Sequence, residues 1–547
     1  AALAPVACGD DGAGPGAGGA GGALTTSSTS VQAVSTTSGP LPERFTVRGT
    51  VTDGERPVEG ALVMQAGGRY PGGGNPVGPE PVVTGVDGSF ELELDLTVVG
   101  EPTIVAAKVG WRSAGLSFDA VPAEPIVLRL YGIAQPDNAL GYDYGHPGVG
   151  DPIADGSTEV CGHCHTSFVA EFRESAHARA TKNPLVQDLY AGVASSATSA
   201  AACASLGGTW RTGTQPGSPG APTARCYVGS GVLPDLNACG SQSGAACDDP
   251  ALPTAAKPAK FGACADCHAL GLEGPLGGRD LLDASGLAYE LGNHCDACHK
   301  IADVDLSLPP GTAGRLRVQR PRETLGDTIG APTRQVMFGP LPDVPLVFMG
   351  GSWQPKFATA ELCAGCHQQE QPALLEGASL DESRWPEGLP IHSTFEEWSD
   401  SAWGTDSTPC QFCHMPPSPT ALNSMDIATP DDASIAFGFA RPPARNRSHS
   451  FRGPLDGPNR LLDGALTVGL AGSVTGARLD VAVTLINSGC GHALPTGEPM
   501  RALLLVVDTD ACGERMRAID GYTIGDVGGA LARGVVGASV TLSSEEL

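Results

Sequence analysis

Residues 161–180 read CGHCHTSFVAEFRESAHARA, and the pattern that opens this stretch recurs four more times in the chain. The pattern is C-x-x-C-H and ends here at His165, with further histidines at His163 and His177. Apolar residues follow His165 at helical spacing, which predicts one helix over 165–177. At about 1.5 Å per residue, that helix would separate His165 from His177 by about 18 Å. The two imidazoles therefore cannot bind one metal ion, and His177 is predicted to serve a different one.

The five copies share a spacing that suits one covalent cofactor, haem c. Two thiols three positions apart reach the two vinyl groups of a haem and form thioethers, and the histidine that follows supplies an imidazole nitrogen to the iron. Random placement of 17 cysteines and 12 histidines gives about 0.01 copies of this motif. The predicted attachment residues are Cys161, Cys164, Cys264, Cys267, Cys295, Cys298, Cys363, Cys366, Cys410 and Cys413, and the predicted proximal iron ligands are His165, His268, His299, His367 and His414.

Zinc sites and redox-active dithiols are the alternative uses of C-x-x-C pairs. A Cys₄ zinc site needs no histidine directly after its second cysteine, yet all five copies here have one. Thioredoxin-like chemistry uses a single C-x-x-C in a βαβ unit, and no βαβ pattern surrounds these motifs. The sequence therefore favours five haems c over either alternative.

The composition favours loops and turn-rich β structure in an exported protein. Glycine (75 residues) and proline (46) make up more than a fifth of the 547 residues, against a usual ~12%. Ten of the 17 cysteines lie in the motifs, and without Cys8 six remain in two local groups, which fits three disulfides and an oxidising compartment. A formal net charge of −27 argues against nucleic acid as a partner, because phosphate binding requires clustered Lys and Arg. No run approaches about 18 consecutive apolar residues, so no membrane-spanning helix is predicted.

Residues 1–43 are predicted to be a leader and a flexible linker. The start, AALAPVACGDDG, resembles the end of a bacterial lipoprotein signal peptide with Cys8 as the lipid-modified residue, although Pro5 stands where that family usually has Leu. The resemblance implies a lipid anchor that tethers the protein to a membrane surface. A stray cysteine in a flexible leader is the alternative. Residues 9–42 are nearly all Gly, Ala, Ser, Thr and Pro, which is typical of a spacer.

Residues 44–131 alternate with period two in short runs, which predicts an antiparallel β-sandwich. Asp53-Gly54 and Asp87-Gly88 separate the runs as turn signals. The arrangement V-R-G-T-V-T-D, P-V-E-G-A and T-G-V-D-G-S-F-E-L resembles carboxypeptidase-regulatory-like, transthyretin-like domains. That resemblance implies a structural or adhesive module.

The remaining chain is predicted to form two further domains. Residues 132–462 carry all five motifs and little continuous periodicity, which indicates an irregular, mainly α region. Within it, 191–260 is a Gly-, Ser-, Ala- and Pro-rich insertion whose four cysteines (Cys203, Cys226, Cys239 and Cys247) can pair in three ways. Residues 463–547 return to strand patterns and form a C-terminal β-domain, with Cys490 and Cys512 expected to be bridged across it.

Seven histidines remain as candidates for the opposite, distal side of the irons. The phrase S-A-H-A at His177 resembles multihaem cytochromes related to the tetrahaem cytochrome of ammonia oxidation, in which this histidine is a distal ligand. His392 precedes T-F-E-E-W-S-D-S-A-W, which resembles the same superfamily, although Trp403 stands where a histidine is usual. Thr394 and Glu397 form a capping-box pattern, which predicts that a helix begins just after His392.

Two further phrases resemble ligand-bearing segments of multihaem cytochromes: R-S-H-S-F-R-G at His449 and G-C-G-H-A-L-P-T-G at His492. His294 directly precedes Cys295, so only a neighbouring haem could use it. The predicted distal ligands are therefore His177, His294, His392, His449 and His492. His163 and His146 stay undecided, and for Met337 and Met415 core packing or a linker role is favoured over iron binding.

The sequence thus predicts a multidomain, exported bacterial cytochrome with five haems c, mostly bound by two histidines each. With both axial positions filled, the iron has no vacancy for a substrate, so electron transfer is favoured over enzymatic chemistry. A multihaem oxidoreductase acting on a small nitrogen or sulfur compound at one open iron is the alternative, as is a subunit of a haem-lined filament or outer-membrane conduit. The expected location is the periplasm, the outer-membrane surface or the extracellular space, and the expected partners are redox proteins, extracellular acceptors or further copies of the chain.

Overall fold

The computed structural model describes residues from 40 to 515, with gaps. The described ranges are 40–68, 78–100, 102–133, 161–162, 165–183, 186, 190, 197–212, 224–227, 264–277, 279–308, 314–320, 336–345, 351–371, 389–417, 425–428, 434–437, 445–455, 460–476, 478–497, 510–511 and 514–515. All structural statements below concern these residues.

The described residues contain 23 strands and ten helices, with 3₁₀ turns between them. The N-terminal strands are β1 (Arg44–Thr52), β2 (Leu62–Gln65), β3 (Val82–Val83), β4 (Ser89–Asp95), β5 (Thr103–Ala107), β6 (Trp111–Arg112), β7 (Ala114–Ser117), β8 (Ile126–Arg129) and β9 (Tyr131–Gly132). The central strands are β10 (Thr209–Thr212), β11 (Ala224–Tyr227), β12 (Ile301–Val304), β13 (Leu316–Val318), β14 (Met337–Gly339), β15 (Gly351–Trp353), β16 (Gln369–Gln371), β17 (Leu389–His392), β18 (Met425–Ala428) and β19 (Ser434–Phe437). The last strands are β20 (Leu466–Thr475), β21 (Arg478–Asn487), β22 (Asp510–Ala511) and β23 (Glu514–Arg515). The helices are α1 (Thr166–Glu174), α2 (Ala200–Ser205), α3 (Cys264–His268), α4 (Gly286–Glu290), α5 (Cys295–Cys298), α6 (Ala360–Ala364), α7 (Thr394–Ser399), α8 (Ala402–Thr405), α9 (Gln411–His414) and α10 (Leu461–Ala465).

The N-terminal strands form the predicted β-rich unit, with two sheets around one apolar core. The first sheet has the order β4-β1-β8 and the second β3-β2-β5-β7. Side chains of β1 and β4 alternate between buried and exposed, as period-two strands with one solvated face require. The two predicted turn signals are confirmed: Gly54 and Gly88 both have positive φ, and a Cβ at Gly88 would overlap the carbonyl of Val51. One departure is that β1 pairs with β8 in parallel, so the sandwich is not wholly antiparallel.

A third sheet joins this unit to a segment more than 200 residues later in the chain. Its order is β14-β15-β6-β9, so two of its strands come from the sandwich and two from the central region. The segment explains why β2 is buried along its whole length. Val63 faces the sandwich core, whereas Leu62 and Met64 pack against Leu341 and Trp353 of the central region.

The central region is built from short pieces, and the expectation of a mainly α region is not met among its described residues. Its longest helix, α1, has nine residues, and the C-x-x-C-H motifs at α3, α5 and α9 occupy helices of four or five. Between them lie two-stranded sheets, β10-β11, β12-β13, β16-β17 and β18-β19. Helices this short are not stable by propensity, so their positions depend on tertiary contacts.

The insertion within 191–260 is cross-linked, as predicted. Cys203 on α2 and Cys226 on β11 form a disulfide with a Cα–Cα distance of 5.4 Å, and both are buried beside the partly buried Trp210. Cys239 and Cys247 lie outside the described residues. The structure therefore joins Cys203 to Cys226.

The C-terminal region begins with a long hairpin. β20 and β21 pair over ten residues each, from Leu466↔Asn487 to Thr475↔Arg478. Cys490, which follows the hairpin, is a free thiol, so the expected bridge to Cys512 is not formed, and Cys512 itself lies outside the described residues. In the described part of the chain, no helix is both long and apolar enough to cross a membrane.

Candidate functional site

The segment that opens the central region reaches both halves of the candidate site. The helix predicted over 165–177 is shorter than expected: α1 ends at Glu174, and His177 begins a separate 3₁₀ turn. Ser175 makes this break, because its backbone is extended and its side chain accepts a hydrogen bond from Ala178 N–H. His165 and His177 still lie at opposite ends of the segment, as the spacing predicts.

His177 lies among histidines of other motifs. Its ring centroid is 6.1 Å from that of His367 and 4.3 Å from that of Phe451. The turn before the third motif packs on its backbone, because Asn293 N–H donates to the His177 carbonyl at 3.1 Å. Gly292 permits this approach, since its φ is 56° and a Cβ there would lie 2.5 Å from the same carbonyl oxygen.

Cysteines of different motifs touch one another, and these contacts divide the motifs into two groups. The Cys161 thiol hydrogen-bonds Cys295, which joins the first and third motifs. The Cys267 thiol hydrogen-bonds Cys366, and the Cys363 thiol hydrogen-bonds Cys410. We call the first and third motifs with His449 cluster A, and the second, fourth and fifth motifs with His177, His392 and His492 cluster B.

Three pairs of histidine rings in these clusters share one spacing, which His177 and His367 (6.1 Å between centroids) also have. Ring centroids are 6.4 Å apart for His299 and His449 in cluster A. In cluster B they are 6.1 Å apart for His367 and His392, and 6.2 Å apart for His414 and His492. Each pair joins the histidine of a C-x-x-C-H motif to one of the distal candidates. The interplanar angles differ, at 25°, 72° and 16° in that order.

Backbone carbonyls fix which nitrogen of several rings carries the proton. Nδ1–H of His299 donates to the Phe338 carbonyl at 2.6 Å, and that of His414 donates to the Arg452 carbonyl at 2.7 Å. His449 and His492 use nearby carbonyls in the same way, those of Arg447 (3.0 Å) and Ala493 (2.9 Å). A proton on Nδ1 leaves the lone pair on Nε2, the arrangement of a metal-binding histidine whose other nitrogen is held by the protein.

The imidazoles of His177, His268 and His449 are neutral because the surrounding protein removes them from water. Burial, reinforced by the neighbouring His367, lowers the pKa of His177 from 6.5 to about 3. Burial lowers the pKa of His449 to about 3 and that of His268 to about 4, although a backbone hydrogen bond at Ala180 partly offsets the effect on His268. At neutral pH these rings therefore carry no positive charge, and their lone pairs are available to a metal.

His294 differs from the other candidates. It is fully buried, but its Nδ1 accepts a hydrogen bond from Ala297 N–H at 3.3 Å, so it caps the N-terminus of α5. The proton of the neutral ring then lies on Nε2, which packs against the backbone of Gly271. This arrangement favours a structural role for His294 over the predicted role of distal ligand.

His392 lies where the sequence placed it, but the helix after it is capped differently. β17 ends at His392 and α7 begins at Thr394. The residue that hydrogen-bonds Glu397 is Ser393, so the predicted Thr394–Glu397 capping box is wrong. The Thr394 hydroxyl lies instead 2.8 Å from that of Thr496, in the loop that carries His492.

That loop is held by Glu397, a residue whose role the sequence did not reveal. Its Oε2 accepts hydrogen bonds from Ala493 N–H at 3.1 Å and from the Thr496 hydroxyl at 2.6 Å. Trp403 packs against Gly491, since a Cβ added to this glycine would lie 3.4 Å from the indole ring. The helix pair α7–α8 thus positions His492 against His414.

His449 is positioned by the first motif's helix. Its backbone N–H donates to Glu171 Oε2 at 2.8 Å, and its ring lies 4.7 Å from that of Phe168, both residues being on α1. Phe451 then links the clusters, with its ring 5.9 Å from His449 and 4.3 Å from His177. Phe451 adopts a φ of 46°, which a bulky residue rarely does, and such strain is concentrated at functional sites.

Some predicted residues lie outside the described part of the chain: Cys8, His146, His163 and Cys164. Met337 lies in β14 and Met415 directly follows α9. Among the described residues, no group of three or more His, Cys, Asp and Glu side chains is arranged to hold a metal ion by itself. The donors instead occur as facing pairs of imidazoles with cysteines beside them.

Comparison with known proteins finds no match to a family model, to a curated protein or to a solved structure. The resemblance to multihaem cytochromes therefore stays a prediction from the motifs.

Proposed function

We propose that this protein binds five haems c and carries electrons outside the cytoplasm. The observation that carries the proposal is the common spacing of the three ring pairs, 6.1 to 6.4 Å between centroids. Two imidazoles that bind one metal ion from opposite sides, each with a metal–nitrogen distance of about 2 Å, place their centroids about 6 Å apart. The spacing therefore matches one metal ion between the two rings of a pair. His367 has two neighbours at this distance, His177 and His392, and one iron can bind only one of them together with His367.

The chemistry of the donors fits haem iron. Nδ1 of His299, His414, His449 and His492 is held by a carbonyl, which leaves Nε2 as the ligand atom. Two nitrogen donors fill the axial positions of a haem, whereas a bare zinc ion takes four ligands. Each pair has attachment cysteines in the same motif as one of its histidines.

The contacts support a specific pairing of ligands. We assign His449 to His299, His392 to His367, and His492 to His414. One iron binds at most two imidazoles, so His177, which also neighbours His367, is assigned to His268. The partner of His165 is then to be sought in His146, because His163 lies between the two cysteines of the same motif and His294 acts as a helix cap.

In this arrangement the haem supplies reversible one-electron chemistry, and the chain supplies binding, orientation and burial. The thiol contacts between motifs bring neighbouring sites together within each cluster, and Phe451 lies between the clusters. The Cys203–Cys226 disulfide supports an oxidising compartment. Redox proteins and extracellular acceptors are the proposed partners.

The test is the haem content and axial ligation of the purified protein. A pyridine haemochrome spectrum should give five haems c per chain, and the ferric protein should give low-spin EPR signals only. The His414–His492 and His367–His392 pairs should give distinguishable signals, because their imidazole planes are nearly parallel in one and steeply inclined in the other. Far fewer than five haems would refute the proposal, and a high-spin signal that shifts with nitrite would favour the multihaem oxidoreductase instead.

Loss of one assigned ligand provides a matched control. His492→Met should change only the signal of the haem bound by His414, and His294→Asn, which retains a capping side chain, should leave all five signals unchanged. A change of ligation in His294→Asn would contradict the capping role given to His294.

A further inference from the structure

We propose that the N-terminal sandwich positions His299 through a strap formed by residues 336–345 and 351–354. The inference rests on the proposed function, since it concerns the haem that His299 binds. Of the two roles expected for the sandwich, structural or adhesive, it favours the structural one, because the strap belongs to one sheet with the sandwich and hydrogen-bonds the third motif.

The strap is joined to the sandwich through its backbone. β14 pairs in parallel with β15, and β15 pairs with β6 at Ser352↔Arg112. Ser113 N–H donates to the Gly351 carbonyl at 2.9 Å. The backbone ladder of the sandwich therefore continues into the strap.

Side chains reinforce this junction. Asp343 is fully buried, and its Oδ2 accepts a hydrogen bond from Gly67 N–H at 2.8 Å. Met64 of β2, which is 1% exposed, packs against Leu341 and Trp353 of the strap. A carboxylate and an apolar contact thus hold the strap at separate points, so it is fixed in both position and orientation.

The other side of the strap is joined to the third motif. Phe338 N–H donates to the His299 carbonyl at 2.8 Å, and His299 Nδ1–H donates to the Phe338 carbonyl at 2.6 Å. The next residue, Lys300, is fully buried and donates from Nζ to the Val336 carbonyl at 2.8 Å. Three hydrogen bonds therefore hold His299 and its neighbour to β14 and the residue before it.

Through these hydrogen bonds, the sandwich affects the orientation and basicity of the His299 imidazole. A hydrogen bond from the second ring nitrogen fixes the tautomer and rotation of a metal-bound imidazole and raises its basicity. The corresponding acceptors for His414 and His449 are Arg452 and Arg447, which lie in loops of the central region. His299 differs, because its acceptor lies in a sheet that also contains two strands of the N-terminal unit, β6 and β9.

Two glycine substitutions separate this role from general stability. Gly115 lies in β7, on the sandwich, and a Cβ there would overlap Pro345 of the strap. Gly339 lies in the strap beside Phe338, yet a Cβ there meets no atom within 4 Å. Gly115→Ala is therefore expected to displace the strap although it is remote from His299 in sequence, whereas Gly339→Ala is the matched control.

The experiment compares the EPR spectra and redox titrations of the full-length holoprotein variants. Gly115→Ala should shift the g value and reduction potential of one haem in five, the same haem whose signal is altered in His299→Met, and Gly339→Ala should shift none. Met64→Ala should reproduce the Gly115→Ala shift and Met64→Leu should restore the wild-type signal, which keeps the test decisive if Gly115→Ala fails to fold.

Unchanged signals in both Gly115→Ala and Met64→Ala would overturn the inference, and so would equal shifts of all five haems. Failure of the proposed function is distinguishable, because it appears as missing haem in the wild-type protein before any variant is compared.

Discussion

The sandwich and the central region bury different kinds of side chain. In the sandwich, sixteen buried apolar residues from both sheets form one continuous core, whereas the two largest buried apolar clusters described in the central region have six residues each. The central region buries polar and charged groups instead, among them Lys300, Arg320 and His294, all 0% exposed. The difference indicates that the apolar core of the sandwich is formed by side chains alone. The central region is organised around imidazoles and thiols.

Withholding the cofactor should produce the largest difference in stability between the sandwich and the central region. On the proposed function, haem supplies the apolar material that the central region lacks, so protein made in cells without haem-attachment machinery should leave the third motif and its surroundings unfolded. Hydrogen exchange measured by mass spectrometry should then be as fast in 264–300 as in an unfolded chain. β1 and β4 should retain slow exchange, because their core needs no cofactor.

The holoprotein is the control for this measurement, and it should protect both regions. Equal protection of 264–300 with and without haem would show that the central region folds on its own side chains.

A cavity in the sandwich gives the next largest effect. Leu94 on β4 is 0% exposed, so Leu94→Ala should lower the free energy of unfolding of the sandwich by about 2–5 kcal/mol. Val127 on β8 is 56% exposed, and Val127→Ala should change it by less than about 0.5 kcal/mol. Urea dependence of hydrogen exchange in β1 and β4 measures both values. A similar cost for the two variants would mean that the apolar core does not determine the stability of this unit.

The sequence predicted the sandwich well because its signals are local. Period-two burial in β1 and β4 and the glycine turns at Gly54 and Gly88 each involve residues within a few positions of one another. The third sheet could not be predicted in this way. Its contact between Gly67 and Asp343 spans 276 residues, and β14 and β15 are three residues long, too short for a periodic signal.

In the candidate site, too, some residues can be predicted from local sequence and others depend on distant contacts. Motif spacing is enough to predict the attachment cysteines and proximal histidines, since that chemistry lies within five residues. The roles of Glu397 and Phe451 depend on contacts with distant segments, at Thr496 and His177 respectively, which the short phrases that contain these residues do not reveal. His294 is a case in which the structure suggests another role: its position beside Cys295 predicted a ligand, and the structure shows its side chain capping the N-terminus of a four-residue helix.

The smallest predicted effect is on the pH dependence of the free energy of unfolding, through the buried His294 of the central region. Burial lowers the pKa of His294 from 6.5 to about 3. Between these values the unfolded state binds a proton that the folded state does not, so this contribution to stability is complete above pH 6.5 and is lost as the pH falls toward 3. One such proton corresponds to about 1.4 kcal/mol per pH unit.

His294→Asn removes the titrating ring and retains a side-chain oxygen for the Ala297 N–H. Between pH 6.5 and pH 5, the difference in unfolding free energy between variant and wild type should therefore move by about 2 kcal/mol in favour of the variant. All other histidines are common to the two proteins, so their titration cancels in this difference. Urea unfolding at each pH provides the measurement, and parallel curves would mean that His294 is protonated as easily in the folded protein as in the unfolded chain. Such a result would place this buried ring in contact with water. The predicted divergence would instead show that His294 is one of the buried polar groups of the central region, whereas the sandwich buries aliphatic side chains.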